Sequence, residues 1–130
     1  MTQPPNQPDP DCVFCKIVGG EIPATKVLET QHAVAFLDAA PLADGHTLLI
    51  PKCHYTTLSE TPVEELTLVL QLLPALAEGI LSVVGAGAFN VLQNNGRAAG
   101  QAVDHVHFHI IPRVADDGLG YRWKASHYAE

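Results

Sequence analysis

Basic residues are scarce in this sequence: 7 lysines and arginines stand against 14 aspartates and glutamates, which gives a formal net charge of −7. A protein that grips DNA or RNA needs a dense basic surface to displace counterions from the phosphates. No nucleic acid polymer is therefore expected as a partner. A small anionic ligand is still compatible with this charge, because backbone N–H groups and a few imidazoles can hold one phosphate locally.

The sequence also lacks an uninterrupted hydrophobic run and a targeting segment. Its apolar stretches are broken by Glu, Gln, Pro or Gly, so neither a membrane-spanning helix nor a membrane partner is expected. The first residues, MTQPPNQPDPD, have neither a basic start nor an apolar core. They predict a disordered leader over residues 1–11 rather than a secretion signal, and a cytoplasmic location follows as the expectation.

Cysteine occurs only three times, and an odd count in a cytoplasmic chain argues against a disulfide framework. Metal binding is therefore a better hypothesis for these cysteines than disulfide formation. Cys12 and Cys15 form a C-x₂-C pair, a spacing common in structural zinc sites. On its own this pair could also be incidental, since a zinc site needs two further ligands.

The chain has the length of one domain, and no repeat or charge block divides residues 12–130. A short helix closed by glycine is predicted at residues 12–20. Short β-rich runs bounded by turn residues predict five strands, at about residues 26–29, 33–38, 46–51, 88–94 and 105–112.

A second helix is predicted where the hydrophobic period changes after Ser59. Thr61 and Glu64 have the spacing of a capping box, with Pro62 at the first helical position. Apolar residues then recur at helical spacing and predict one long helix over residues 62–84, which Pro74 should kink or divide. An antiparallel sheet of about five strands, with one short and one long helix, belongs to the α+β class.

The run HVHFHIIPR places His105, His107 and His109 on alternate positions of a predicted strand, so that they project from one face. Three uses compete for them: a polar face without function, a metal site, and nucleophilic catalysis, in which one imidazole attacks and its neighbours position or protonate the substrate. A single ion held by all three is difficult, because same-face residues lie roughly 6.5 to 7 Å apart along a strand. Spacing alone does not decide among these uses.

HVHFHII matches the His-φ-His-φ-His-φ-φ signature of the histidine triad family at every position. The resemblance extends over nearly the whole chain from Cys12 and is closest to the bacterial Hint-like branch; it is carried by CVFCKIVGGEIPATKV, AFLDAAPLADGHTLLIPKCH, QNNGRAAGQAVDHVHFHIIPR and GYRWKASHY. It implies a HIT-like fold over residues 12–130 and a homodimer. It also implies a nucleotide hydrolase or transferase that cleaves at the α-phosphate of purine nucleoside phosphoramidates or adenylylated compounds.

The resemblance assigns catalytic roles to the histidine run and its neighbours. The middle histidine of the signature, His107, would attack the α-phosphorus and carry a covalent nucleotidyl group, while His109 would contact the phosphate and stabilise developing charge. His46 would support the triad from a neighbouring strand, and the triad's first member, His105, completes the set. Asp38 matches the acidic residue that holds the ribose hydroxyls, although it could also be an ordinary strand-end carboxylate.

The loop before the triad resembles the family's phosphate-binding loop. Asn94, Gly100 and Gln101 match the residues that frame the phosphate, although the loop could also be a plain hairpin connection. Many relatives have serine after Gly-Gln, whereas this chain has Ala102. The missing hydroxyl predicts retained phosphate binding with slower turnover or a changed leaving-group preference.

The resemblance also completes a metal site. Branches with the N-terminal cysteine pair add the histidine of PKxH and the first triad histidine, which implies a structural Zn²⁺ held by Cys12, Cys15, His54 and His105. Four protein ligands leave no open position for catalytic water. Cys53 adjoins His54, but adjacent residues of an extended chain face opposite ways, so Cys53 is expected to be a free cysteine.

Three other functions stay open at this point. A dinucleoside polyphosphate hydrolase differs from a phosphoramidase only in its leaving group. A nucleotide-binding adaptor with little turnover would keep the same pocket, and Ala102 favours it mildly. A metal-dependent oxygenase could use the histidine run. The C-terminal GYRWKASHY is expected to lie near the nucleotide site.

Overall fold

The computed structural model describes residues 7–120 and 126–128. Its described strands form one antiparallel sheet in the order β1-β2-β3-β5-β4. The strands are β1 Lys26–Glu29, β2 Ala33–Leu37, β3 Thr47–Pro51, β4 Ala88–Leu92 and β5 Phe108–Arg113. The predicted α+β fold with a five-stranded sheet is therefore confirmed.

The helices follow the predicted order, with one division. Helix α1 spans Val13–Val18, and the long helical segment consists of α2, Val63–Leu70, and α3, Leu73–Val84. Pro74 lies in the first turn of α3, where its missing N–H has no intrahelical partner to lose. The break therefore falls just before the proline, as the sequence indicates.

The predicted capping box of the long helix is wrong. The Thr61 hydroxyl donates to the Thr57 carbonyl at 2.8 Å instead of capping α2, which begins after Pro62 without a side-chain cap. The preceding 3-10 turn, Leu58–Glu60, offers Thr61 this closer backbone acceptor. Local hydrogen bonding has thus replaced the cap.

The segment Val63–Val84, 22 residues long, is long and apolar enough to cross a membrane, with a mean hydropathy of 1.8 over an 18-residue window. The interruptions noted in the sequence are therefore weaker evidence against a span than expected. The core helix of a globular domain meets the same criteria. Here Val69 of α2 and Leu76, Ala77 and Ile80 of α3 are buried in the core beneath the two helices.

Both faces of the sheet are covered, which explains why successive residues of β2 and β3, on either face, are mostly apolar and buried. On one face Ala33, Ala35 and Leu49 pack with α2 and α3. On the other face Val34, Phe36, Leu48 and Ile50 pack with α1. Alternate residues of one strand therefore enter different cores, and α1 covers the face that carries the functional side chains.

Candidate active site and metal cluster

The histidine run does not lie on a single strand, in contrast to the prediction. Strand β5 begins at Phe108, so only His109 belongs to it; His105 lies at a bend and His107 in the irregular chain before the strand. The pairing of β3 with β5 ends at Leu49 and Phe108. Beyond that point the Val106 N–H donates to the Tyr55 carbonyl at 2.7 Å, which draws the chain away from β3.

The alternation of faces nevertheless survives this departure. Val106 and Phe108 belong to the core beneath α2 and α3. On the opposite side the Phe14 ring of α1 makes edge contacts with His105 and His107, with ring centroids 5.9 and 5.1 Å apart. The face that carries the three imidazoles is therefore partly covered: His105 is completely buried, and His109 is the most open of the three.

His107 is held in one tautomer by the backbone. Its Nδ1 lies 2.7 Å from the His105 carbonyl oxygen, which can only accept, so Nδ1 carries the proton. Burial lowers the pKa of His107 and favours the neutral ring. The lone pair of the neutral ring is then on Nε2, the atom required of a nucleophile.

A second hydrogen-bond chain fixes the tautomer of His109. The Leu42 N–H donates to Nδ1 of His46 at 3.1 Å, so the neutral His46 ring carries its proton on Nε2. That nitrogen lies 2.9 Å from Nδ1 of His109 and 3.5 Å from the Asp38 carboxylate. When His46 donates to His109, the proton of His109 is on Nε2, where the ring offers a donor to a ligand.

Burial keeps both rings of this chain neutral. It lowers the pKa of His46, and burial together with the neighbouring imidazoles lowers the pKa of His109 to about 4. The rings of His107 and His109 are 5.0 Å apart between centroids. The site thus combines a neutral ring that has its lone pair on Nε2 with an adjacent neutral N–H donor.

A cavity of about 360 Å³ opens over these two rings. Its polar side chains are Asp38, His107 and His109, and Ala102 forms part of the wall. The remaining wall is largely apolar and includes Phe14, Ile17, Ile22, Pro23, Phe36 and Leu48. A ligand with a flat apolar part and one anionic group would match this distribution.

The loop before the histidines reaches this cavity at Ala102, whereas Asn94, Gly100 and Gln101 are not among the cavity-wall residues. Gly100 has a left-handed φ of +96°. A Cβ at Gly100 would come within 3.5 Å of the Asn94 amide nitrogen, so these two residues adjoin each other. Their roles at the phosphate stay predictions.

The four predicted metal ligands do come together. The ligand atoms of Cys12, Cys15, His54 and His105 all lie within 4.8 Å of one another. His105 Nδ1 is 3.6 Å from each cysteine sulfur and 3.2 Å from His54 Nδ1, which is 3.3 Å from the Cys15 sulfur. Tetrahedral zinc with Zn–S of about 2.3 Å and Zn–N of about 2.0 Å requires ligand separations of about 3.3 to 3.8 Å. These donors therefore fit zinc.

The chemistry of the donors fits a cation as well. His105 Nε2–H donates to the Pro51 carbonyl at 2.8 Å, which turns the Nδ1 lone pair toward the cysteines. Burial lowers the pKa of His105 to about 4 and raises that of Cys15 to about 11. A bound dication would compensate the cost of placing thiolate charge in this buried position.

Two contacts of the cluster had no signal in the sequence. The Asp9 N–H donates to the Cys15 sulfur at 3.4 Å, and the Cys12 N–H donates to the Asp9 carbonyl at 3.0 Å. The described part of the predicted leader, residues 7–11, thus includes a turn that supports the cysteine pair. Cys53 lies outside the cluster and packs against the core beneath α2 and α3. Of the C-terminal segment, residues 121–125 lie outside the described residues.

A family model and several known proteins match this chain. The HIT domain family model matches residues 19–116. An adenosine 5′-monophosphoramidase of Schizosaccharomyces pombe is 49% identical over 113 residues, which cover 86% of this chain and 82% of that protein.

Two solved structures are similar over most of their length. A member of the HIT family from Bacillus subtilis has a TM-score of 0.86 and 43% identity, covering 89% of this chain and 83% of the other. A zinc-bound histidine triad family protein from Mycobacterium smegmatis has a TM-score of 0.80 and 36% identity, covering 89% of this chain and 84% of the other.

Proposed function

The chain belongs to the histidine triad family, and on this premise we propose that it hydrolyses purine nucleoside phosphoramidates or related adenylylated compounds at the α-phosphate. One observation carries the proposal. His107, with its lone pair on Nε2, lies beside the N–H donor of His109 in the wall of one cavity. A nucleophile next to a preorganised donor suits transfer of a phosphoryl-type group.

In the first step His107 Nε2 attacks the α-phosphorus, and the bond from phosphorus to the leaving nitrogen breaks. The amine departs after taking up a proton, and the nucleotidyl group stays on His107. The resulting imidazolium keeps its Nδ1–H on the His105 carbonyl, which stabilises the positive ring. His109 Nε2–H donates to a phosphate oxygen throughout the step.

In the second step water attacks the same phosphorus. The Nε2–P bond breaks, the nucleoside monophosphate is released, and the proton lost by water balances the one taken up by the amine. His107 returns to its starting tautomer because the His105 carbonyl still holds its Nδ1–H. In this proposal Asp38 holds the ribose hydroxyls and the apolar wall holds the base, since both line the cavity that contains His107 and His109.

The decisive experiment is chromatographic detection of AMP released from adenosine 5′-phosphoramidate by the purified protein. Efficient release supports the proposal. A much faster reaction with diadenosine polyphosphates would assign the chain to dinucleoside polyphosphate hydrolysis instead. Tight AMP binding without turnover of either compound would leave a nucleotide-binding adaptor.

We also propose that Cys12, Cys15, His54 and His105 hold one structural Zn²⁺. The fit of the donor distances and the zinc-bound relative support this assignment. When bound, the ion cross-links α1 to the segments that carry His54 and His105. With four protein ligands it has no open position for water, so none of the chemistry above passes through it.

Restoring the hydroxyl at position 102 is expected to raise turnover. In the Ala102→Ser variant an added hydroxyl in the cavity wall could bond the phosphate or the leaving atom, and one such bond corresponds to about a tenfold gain in kcat. Steady-state rates with several leaving groups measure the effect. Ala98→Ser, in the same loop but outside the cavity wall, is the matched control. Unchanged rates for Ala102→Ser on every substrate would contradict the idea.

We further propose that the chain forms a homodimer through strand β4 and the exposed side of α3. β4 lies at one edge of the sheet, and the side chains of Phe89, Val91 and Val83 are 41%, 45% and 87% exposed. An open apolar edge strand favours pairing with a second copy.

Sedimentation should give about twice the chain mass of 13.9 kDa. Val91→Lys should shift the protein toward the monomer, because it places a charge on the paired edge. Val63→Lys, at an exposed position at the start of α2 and outside the proposed interface, should leave the dimer intact. A wild-type monomer at micromolar concentration would refute the proposed interface.

A further inference from the structure

The side chain of Gln101 is turned into the protein, and only 2% of the residue is exposed. Its Nε2 donates to the Thr56 carbonyl at 2.7 Å and to the Val103 carbonyl at 3.0 Å. Its Oε1 accepts from the Gly96 N–H at 2.7 Å. Both amide hydrogens are therefore engaged, and the carboxamide has no donor left for a substrate oxygen.

Two hydrogen bonds join the ends of the loop over residues 96–101, one from the backbone and one from the side chain of Gln101. The Gln101 backbone N–H already donates to the Gly96 carbonyl at 3.0 Å, and the carboxamide returns a bond to the Gly96 N–H. Gly96 and Gly100 both have left-handed φ angles, of +90° and +96°. A short 3-10 helix, Arg97–Ala99, and a bond from Arg97 to the Ala102 carbonyl at 3.1 Å also shape this loop, and the Gln101 carboxamide adds the bond that ties it to Thr56.

The next residue, Ala102, is where this loop enters the wall of the cavity beside His107 and His109. Within the described residues, the Ala102 N–H takes part in no hydrogen bond of the protein. A free backbone N–H beside the nucleophile is a suitable donor for a phosphate oxygen. The distance between this N–H and the phosphate depends on the position of the loop.

The bond to Thr56 connects this loop to the metal cluster. Thr56 follows His54, a cluster member, and Tyr55, whose carbonyl accepts from the Val106 N–H between His105 and His107. The buried Gln101 carboxamide thus joins this loop to residues 54–56, which contact His105 and Val106. Displacement of the loop would change the distance between Ala102 and His107.

We propose that Gln101 is a positioning residue, whose carboxamide fixes the loop so that the Ala102 N–H and His107 act on the same phosphate. This inference rests on the proposed hydrolysis and deepens it. It replaces a direct contact between the Gln101 side chain and the phosphate by an indirect role through the backbone of Ala102.

Gln101→Glu tests the proposal with a side chain of the same shape. The carboxylate still accepts from the Gly96 N–H, but it places oxygen against the Thr56 and Val103 carbonyls, where Nε2 donates in the wild type. A displacement of about 1 Å at a reacting group costs about 100-fold in rate, so kcat should fall by about that factor. KM should change less than about threefold, because the contacts to the ribose and base are unaltered.

The matched control is Gln31→Glu, which makes the same charge change at an exposed position in the turn between β1 and β2. Its kcat and KM should equal those of the wild type. Rates are to be expressed per zinc-loaded, folded chain, so that loss of stability is separated from loss of positioning. Gln101→Met, uncharged and similar in length, is the second variant should Gln101→Glu fail to fold. A wild-type kcat in either folded variant would overturn the proposal.

Failure of the underlying function would look different. If the wild type turns over neither adenosine 5′-phosphoramidate nor diadenosine polyphosphates, the proposed hydrolysis is refuted, and Gln101 is then judged by calorimetric titration with AMP. Weaker binding to Gln101→Glu than to Gln31→Glu would still support positioning of the phosphate loop. Equal affinities would refute it.

Discussion

His107→Ala should abolish turnover of adenosine 5′-phosphoramidate, with a loss in kcat of about 10⁴-fold or more. The variant removes the only atom that could carry the nucleotidyl group in the proposed reaction. His109→Ala should retain more activity, because it removes a stabilising donor and leaves the nucleophile. The two variants should differ because the bond from His107 Nδ1–H to the His105 carbonyl keeps the lone pair of His107 on Nε2 even when His109 is absent.

The covalent step is tested by trapping. Rapid mixing with substrate, an alkaline quench and intact-mass spectrometry should show an adduct of one adenylyl group on the wild type and none on His107→Ala. His32→Ala, in the turn between β1 and β2, should behave as the wild type. Full activity in His107→Ala would refute covalent catalysis by this residue, whatever the substrate.

Much of the fold could be predicted because periodicity reports on burial. A β-rich run after turn residues placed β1 at residues 26–29, as observed, and the helical period located the segment that Pro74 divides. The histidine run was less predictable. Its alternation gave the correct faces, but the end of the strand is set by where β3 stops pairing with β5, a partner distant in sequence.

In the candidate site, too, contacts made by backbone groups distant in sequence could not be predicted. The set of residues in the metal cluster and the support of the triad by His46 were implied by the family resemblance, whereas the spacing of Cys12 and Cys15 alone left their role open. The contact from the Leu42 backbone to His46, and the turn at Asp9 that supports Cys15, depend on backbone groups, which every residue has. The inward direction of Gln101 was likewise invisible, since a glutamine can bond substrate or backbone equally well.

Cys15→Ala should remove the metal and destabilise the domain. Cys15 lies within bonding distance of both cluster histidines, and its loss leaves a buried set of donors without the ion that compensates them. A loss of several kcal/mol would lower Tm by about 10 °C or more for a domain of this size. Circular dichroism measures the unfolding, and metal analysis should give one zinc per wild-type chain and less in the variant.

Cys53→Ala is the matched control, because Cys53 is partly buried but outside the cluster. It should keep its zinc and lose far less stability. Replacement of zinc by Co²⁺ gives a further readout, since tetrahedral coordination by two thiolates and two imidazoles has a characteristic visible spectrum that Cys15→Ala should lack. The wild type and Cys53→Ala should share it.

Removal of the metal should also lower kcat, because His105 contacts both the metal cluster and the nucleophile His107. His105 Nδ1 belongs to the cluster, and the His105 carbonyl accepts from the Nδ1–H of His107. If His105 is displaced, His107 is no longer held in the tautomer that has its lone pair on Nε2. Brief chelation that leaves zinc bound should therefore not change kcat, whereas Cys15→Ala should lower it even in folded protein. A folded, zinc-free Cys15→Ala variant with wild-type Tm and kcat would show that the cluster neither stabilises the domain nor positions His107.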